Sequence, residues 1–542
     1  MSKYNFVKRN QLAVLIFAAA LMTVGCQEDG SDRDLSSVNI PAEKLRQIET
    51  INLESVKAEP ISQKQLDEIE ASVVELTLEE CRALTMENNL DIKVQLIEPA
   101  IAAEKVSEQE ARFESAFYSN MTYSTTDTPT STTLTGSNVD YSRVNLGVEV
   151  PLRTGGTVTF DMADSRTKTD NTFSTLDPSY VSDFSISISQ PLLRNAGSRV
   201  NTYAIRLAGY EQQIIDVQTK LEMIRVIANA DRWYWRLYAA RRELDVRKKE
   251  YDLAKAQLEQ AQRFVDAGER SMIEVIRAEA GAAERLEAII TTENNLRDRE
   301  RELKKLLNKP GLDMQTATIL IPATQPDPVH YKLDRQTLVT KALDNRMEML
   351  ELELRIAADA STVDYMRNQA LPLVTLDYRY NINGLGATRD DSLDMLGDKN
   401  FEDHQLGLQL LVPLGNGAAK SRLLQAFYQR RQRLATQKNR RALIELEVLN
   451  AIDQLEANWQ RILASRQNAI LAGRLFEAEK RQFEFGLGTS TDVLNAQTAF
   501  ANAQSSEISA LTEYQIALVD IAYATGTLLG SAKIQWEPIR EQ

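Results

Sequence analysis

Residues able to make or break bonds are few and far apart in this chain of 542 residues. The two histidines, His330 and His404, fall near expected loops, and neither has a cysteine or serine beside it in a triad-like context. Two cysteines, Cys26 and Cys81, supply no disulfide framework and, with so few histidines, no metal cluster. No glycine-rich phosphate loop is present. The expectation is a protein that is not an enzyme and takes no cofactor or metal. What the sequence does repeat is a carboxylate behind a glycine. Residues 266–279 read DAGERSMIEVIRAE and residues 485–497 read FGLGTSTDVLNAQ, so Glu274 and Asp492 each stand six residues after a glycine, Gly268 or Gly486. A carboxylate placed there does electrostatic work, because it meets the positive end of a helix, a contact worth about 0.3–1 kcal/mol.

The surroundings of those turns are helical. Glycine and proline are sparse, and 26% of residues are charged with both signs interspersed, which suits long helices with solvated faces. The net charge of −14 argues against a nucleic-acid partner, since neutralising phosphates needs a basic face. At the N-terminus Lys3, Lys8 and Arg9 precede an apolar run from Leu12 to Leu21. That run is shorter than the ~20 residues a bilayer span needs, so residues 1–25 read as a cleaved signal peptide. Cys26 in LMTVGCQ resembles the bacterial lipobox cysteine that becomes a lipid-modified N-terminus, although Thr23 stands where leucine is usual. An ordinary signal with a chance cysteine is the alternative. Gln27 after the cysteine implies, by the same resemblance, sorting to the outer membrane. Residues 26–75 read as an acidic tether. Any further entry into a membrane has to be made by β-strands, because no other segment is a spanning-helix candidate.

Internal repetition organises the rest. Asn88 aligns with Asn345 at an offset of 257, Pro191 with Pro413 at 222, and Gly268 with Gly486 at 218. Two copies of one unit account for all three, and the fall in offset gives the first copy 35 extra residues between its opening helix and its proline. Alternating apolar residues mark strands at 373–382 and 404–412 in the second copy. The first copy offers four, at 115–123, 142–150, 156–164 and 182–190, so the extra residues read as one added hairpin. Strands of about nine residues, long polar loops at 124–140, 167–181 and 383–403, and a short turn at 151–155 fit the outer-membrane habit. A soluble β-sandwich edge is the alternative. Helices of close to seventy residues end at each glycine turn, and the helices that open each copy, about 78–112 and 334–369, are half as long. A proline-rich crossover, 308–333, joins a first repeat at 76–307 to a second at 334–530, with a tail at 531–542.

With LTLEECRAL followed by Asn88 and Asn89, with SQPLLRNAG, and above all with FGLGTSTDVLNAQ, the chain from about 76 to 530 resembles the TolC-type outer-membrane factor family. The resemblance implies a mainly α fold with a membrane β-barrel, in which duplicated strand–long-helix repeats form a homotrimer. Its strands would make one barrel in outer-membrane lipid and its helices a periplasmic α-helical barrel. The implied function is a passive export conduit of a tripartite efflux system, partnered by a periplasmic adaptor and an inner-membrane pump. A conduit for protein secretion and a periplasmic coiled-coil scaffold lipoprotein are the alternatives. Family members usually contribute four strands each. Six here would give eighteen in a trimer, unless the hairpin at about 142–164 lies outside the wall.

By the same resemblance, acids near the tip line a periplasmic gate. Asp492 takes the principal acidic position and Glu274 its counterpart, with Asn495 where some members carry a second acid. Phe483 replaces a tyrosine, Gly488 stands where an arginine can occur, and Arg270 is the candidate replacement cation, facing Asp492. Three Asp492 side chains would then ring the mouth and concentrate cations. Simple helix capping by Glu274 and Asp492 is equally compatible with their positions. Gly268, Glu269, Gly486, Leu487 and Gly488 are the adaptor-docking candidates, with plain turn chemistry as the alternative for the glycines. The aromatic stretch RWYWRLY, residues 232–238, and Cys81 read as helix packing.

Overall fold

A computed structural model describes residues 73–131 and 136–532. The expected signal peptide, Cys26, the tether up to residue 72 and the tail from residue 533 lie outside the described residues. The first repeat opens with β1 (Val73–Leu76), α1 (Leu78–Asn88) and α2 (Leu90–Glu110). Four strands follow: β2 (Ala116–Asp127), β3 (Asn138–Pro151), β4 (Thr157–Thr169) and β5 (Ser179–Pro191). After the short turn α3 (Ser198–Asn201) come the long helix α4 (Tyr203–Asp266) and its return α5 (Met272–Leu307). The crossover carries β6 (Ile319–Pro322). The second repeat consists of α6 (Arg335–Asn345), α7 (Met347–Gln369), β7 (Leu373–Gly386), α8 (Arg389–Asp398), β8 (Glu402–Leu411), α9 (Gly417–Glu484) and α10 (Ser490–Ala524). The short α11 (Leu528–Ser531) closes the described chain.

Helices α4 and α9 have 64 and 68 residues, roughly 100 Å each at 1.5 Å per residue. Each packs along its return helix, and α10 packs on α4, which joins the two repeats side by side. The helix that opens each repeat is not continuous. It breaks at Asn89 and at Arg346, both extended with ψ of 128°, at equivalent places in the two copies. Asn89 stops one helix and starts the next, its Oδ1 accepting from the Ile92 amide at 3.1 Å. Arg346 makes the same break without a side-chain cap and is instead held by Glu348 and Glu447.

The crossover is more ordered than its prolines suggest. Leu76 and Pro322 end a two-stranded parallel pair, β1 with β6, so residues 73–75 belong to the folded unit and not to the tether. Burial explains why the pair forms. Leu76 and Leu320 sit in a core with Cys81, Tyr234, Trp235, Leu237, Leu303 and Leu307. Tyr234, whose side chain is fully buried, satisfies its hydroxyl by donating to the Leu76 carbonyl and accepting from the Thr324 amide, both at 2.9 Å. Much of the aromatic stretch is thus core, and burial pushes the Cys81 thiol up to about 12.

Six strands form one antiparallel sheet in the order β2-β3-β4-β5-β7-β8. The added hairpin, β3 with β4, lies inside this sheet. The segment 383–403 is not simply a loop. Strand β7 runs on to Gly386, and α8 then folds back over β5 and β7. A capping box starts it, with Asp391 accepting from the Thr388 amide at 3.1 Å and Thr388 Oγ1 accepting from the Asp391 amide at 3.2 Å. Gly384 makes room for it, since a Cβ there would lie 2.0 Å from the Ser392 carbonyl oxygen.

Candidate functional site

The two tip turns are closed by the same backbone bonds. Gly268 and Gly486 have φ of +74° and +77° and take the left-handed position that follows a helix. In the first tip the Gly268 amide donates to Val265 O at 2.9 Å and the Glu269 amide to Phe264 O at 2.9 Å. In the second, Gly486 donates to Phe483 O at 3.0 Å and Leu487 to Gln482 O at 2.9 Å. This paired closure satisfies carbonyls that the helix end would otherwise leave bare. Gly488 differs, for its φ is not positive and a Cβ there meets nothing nearer than 3.4 Å. The turn therefore does not depend on glycine at that position.

Equivalent acids in the two tips do different jobs. Asp492 closes a capping box within its own repeat, accepting from the Thr489 amide at 3.1 Å and the Thr489 hydroxyl at 2.6 Å. These bonds, the hydroxyl's first, hold its carboxyl below the usual carboxylate range. Glu274 has one more methylene and reaches out of its repeat. Its Oε2 accepts from the Ser490 amide at 2.9 Å, at the start of α10, while Oε1 pairs with Arg277 at 2.9 Å. Glu274 is 8% exposed, so it joins the two tips and does not present a free charge. Arg270 faces Phe483, 5.3 Å from the ring centroid, and its Nη2 donates to Gly488 O at 3.4 Å. Within one chain it does not pair with Asp492. Phe483 is fully buried, with Phe264 edge-on at 5.8 Å. Asp492 and Asn495 are exposed on α10, as are Glu269 and Leu487 on the turns, Leu487 at 82%. Phe485, Met272 and Ile273 share that exposure and were not singled out from the sequence.

The sheet divides cleanly by face. Pairing puts Val148, Phe160, Ile186 and Tyr380 in one row, and Leu146, Met162, Phe184 and Ile382 in the next. Phe117, Met121, Leu406, Leu408 and Leu410 extend that face to both edges. The opposite face carries Tyr118, Asn145, Asp161, Ser185, Asn381 and their neighbours. Among the described residues, neither the outer side of β2 nor that of β8 has a strand partner. No helix among the described residues is long and apolar enough to cross a membrane.

A model of the outer membrane efflux protein family matches residues 338–527. Over those residues the chain carries this family's domain. TolC of Vibrio cholerae is 23% identical over 303 residues, 54% of this chain and 66% of that protein. TolC of Salmonella enteritidis is 23% identical over 357 residues, 64% and 69% of the two lengths. The matched region thus spans about two thirds of the length of these relatives. Among solved structures, the CmeC outer membrane channel of Campylobacter jejuni superposes with a TM-score of 0.62 at 15% identity, covering 83% of this chain and 86% of that one. The outer membrane protein VceC of Vibrio cholerae gives 0.59 at 14% identity, with 83% and 96% covered. At such identities the likeness is one of fold. The family match lies wholly in the second repeat, and the first repeat is the one that carries the added hairpin.

One structural group escaped sequence reading. Arg285 of α5 is buried and donates to Leu494 O at 3.1 Å and Thr498 Oγ1 at 2.6 Å on α10. Glu250 of α4 stands 3.4 Å from its Nε. The signal that could have found it is Gly281, one turn before, where a Cβ would lie 2.9 Å from Leu494 Cδ1. A glycine inside a helical pattern marks a close approach, and this one brings the two repeats together.

Proposed function

We propose that three copies of this efflux-family protein join their sheets edge to edge, β8 of one against β2 of the next. The ring so formed is an eighteen-stranded barrel in the outer membrane, continued by the helices as a periplasmic tunnel. The observation that carries this reading is a six-stranded sheet with one apolar face, one polar face and two unpaired edges. In hydrocarbon each unpaired backbone group costs several kcal/mol, and closure removes both edges at once. The conduit is passive. An inner-membrane pump supplies the energy through a periplasmic adaptor, and the adaptor docks on the tip residues Gly268, Glu269, Gly486, Leu487 and Gly488. The exposed Phe485 and Met272 widen that surface. Asp492 and Asn495 line the periplasmic gate, while Glu274, Arg270 and Phe483 hold the gate helices in place. Lipid attached at Cys26 anchors the N-terminus to the same membrane.

The test is export from cells. A strain lacking this protein accumulates a fluorescent efflux dye, and the wild-type chain restores export. A chain with Leu408→Arg on the apolar face of β8 does not. Equal dye accumulation with and without the protein, when adaptor and pump are present, refutes the efflux reading.

A further inference from the structure

Helices α4, α5 and α10 meet around a groove well above the tips. Arg236, Ala239, Ala240 and Glu243 line it from α4, and Asn295 and Arg299 from α5. Ser505, Ser509 and Thr512 line it from α10, with the exposed Glu513 beside them. Spacings of three, four and seven residues belong to one face of a helix, so each helix turns a single stripe into the cavity. Ala239 and Ala240 stop at Cβ, and about 230 Å³ stays open. At 1.5 Å per residue the α4 stripe ends roughly 35 Å before the end of that helix at Asp266, away from the tip surface.

Polar groups in this groove lack partners. Ser505 Oγ and Thr512 Oγ1 are buried with no hydrogen bond, and Thr512 is only 3% exposed. Helical hydroxyls can donate to the carbonyl four residues back. On the same helix Thr498 does so to Leu494 O at 3.0 Å and Ser506 to Asn502 O at 2.8 Å. Ser505 and Thr512 forgo that bond and open into the cavity. The arginines are uncompensated as well. Arg236 and Arg299 lie over the Trp233 ring, 5.0 and 5.4 Å from its centroid, and among the described residues neither is in an ion pair. Trp233 thus gathers two like charges, whose repulsion an anion relieves. Of the two carboxylates, Glu243 lies 3.9 Å from Arg247, and Glu513 is on the solvent side.

We propose that this groove binds a tetrahedral oxyanion of the phosphate type, free or as the terminal group of a larger molecule. Arg236 and Arg299 hold it, and the Ser505 and Thr512 hydroxyls donate to it. Planar guanidiniums match phosphate oxygens two at a time, and the hydroxyls supply donors on the side water reaches least. The bound ion touches α4 and α5 of the first repeat and α10 of the second, so it fastens the two repeats together. Glu243 and Glu513 oppose it, and removing either charge tightens binding. The proposal stands apart from the channel reading, because it needs the packed helices and not a closed barrel.

The experiment is isothermal titration of the full-length protein in detergent with inorganic phosphate and, separately, glycerol phosphate, against chloride at matched ionic strength. Saturable binding of at least one is expected. Arg236→Gln and Arg299→Gln each weaken it about tenfold or more, as loss of a charged hydrogen bond does. Thr512→Val keeps shape and charge and weakens it several-fold, while Glu513→Gln tightens it. Arg297→Gln, at an exposed arginine of α5 outside the groove, leaves it unchanged. Circular dichroism checks that each variant keeps its helix. No saturable binding of either compound by the wild type overturns the proposal, as does binding that Arg236→Gln, Arg299→Gln and Thr512→Val leave unchanged. A protein that binds phosphate yet supports no export overturns the channel reading alone.

Discussion

Removing the Glu274 carboxylate tests how the two tips are coupled. In Glu274→Ala the Ser490 amide loses its acceptor and Arg277 its partner. A hydrogen bond to a charged group contributes about 1.5–3 kcal/mol, and the half-exposed Arg277 pair adds only ~0.3–0.5 kcal/mol. A loss near 2 kcal/mol raises the opening equilibrium of the α10 start roughly 30-fold, since about 1.4 kcal/mol is tenfold. Glu274→Gln keeps the reach but not the charge, and loses about half as much. Hydrogen exchange read by mass spectrometry over residues 484–498 measures this directly. The substitution lies in the first repeat, yet the faster exchange is expected in the second. Faster exchange confined to residues 266–280, with 484–498 unchanged, refutes the coupling.

Three further expectations follow from named geometry. Gly486→Ala destabilises its tip by ~1–2 kcal/mol because a left-handed residue acquires a Cβ, whereas Gly488→Ala leaves thermal stability unchanged; calorimetry of the pair decides. On β8, Leu408→Arg places charge on the apolar face and costs about 2–4 kcal/mol at mid-bilayer, while Gln409→Arg on the polar face still assembles, as gel mobility of unheated samples shows. The depressed carboxyl of Asp492 makes its cap pH-dependent. A folded value below the unfolded one, about 3.9, means the cap contributes fully above that value and is lost as pH falls through the folded one. Exchange at 489–495, corrected for intrinsic rate, stays flat from pH 7 to about 5 and rises below about 4; Thr489→Val removes the step.

Long helices, strand alternation and the doubled tip were legible because each leaves a periodic or positional mark. The tip turn needs a left-handed residue, so Gly268 and Gly486 announce it, and the offset of 218 predicts that the backbone bonds closing one glycine turn recur in the other. The face assignment of all six strands also follows from alternation, because a one-residue slip would move every side chain across the sheet. What could not be read were the partners. Glu274 and Asp492 occupy one position of the repeat, and only the packed structure shows one capping its neighbour and the other itself. The resemblance placed Phe483 among the gate candidates, and its ring fills the core between Phe264 and Arg270. The break at Arg346 has no capping residue to announce it, and α8 is set by two glycines in β7 that sequence periodicity treats as loop.

The claim that decides the rest is closure through β2 and β8. Single cysteines placed in pairs along Ala116–Asp127 and Glu402–Leu411 of the same chain test it by disulfide formation in whole membranes, with Cys81 buried and inert as background. The account predicts covalent dimers and trimers, no larger species, and cross-linking only for pairs that share a single antiparallel register. Cross-linking in no register, or ladders that continue beyond the trimer, would contradict it.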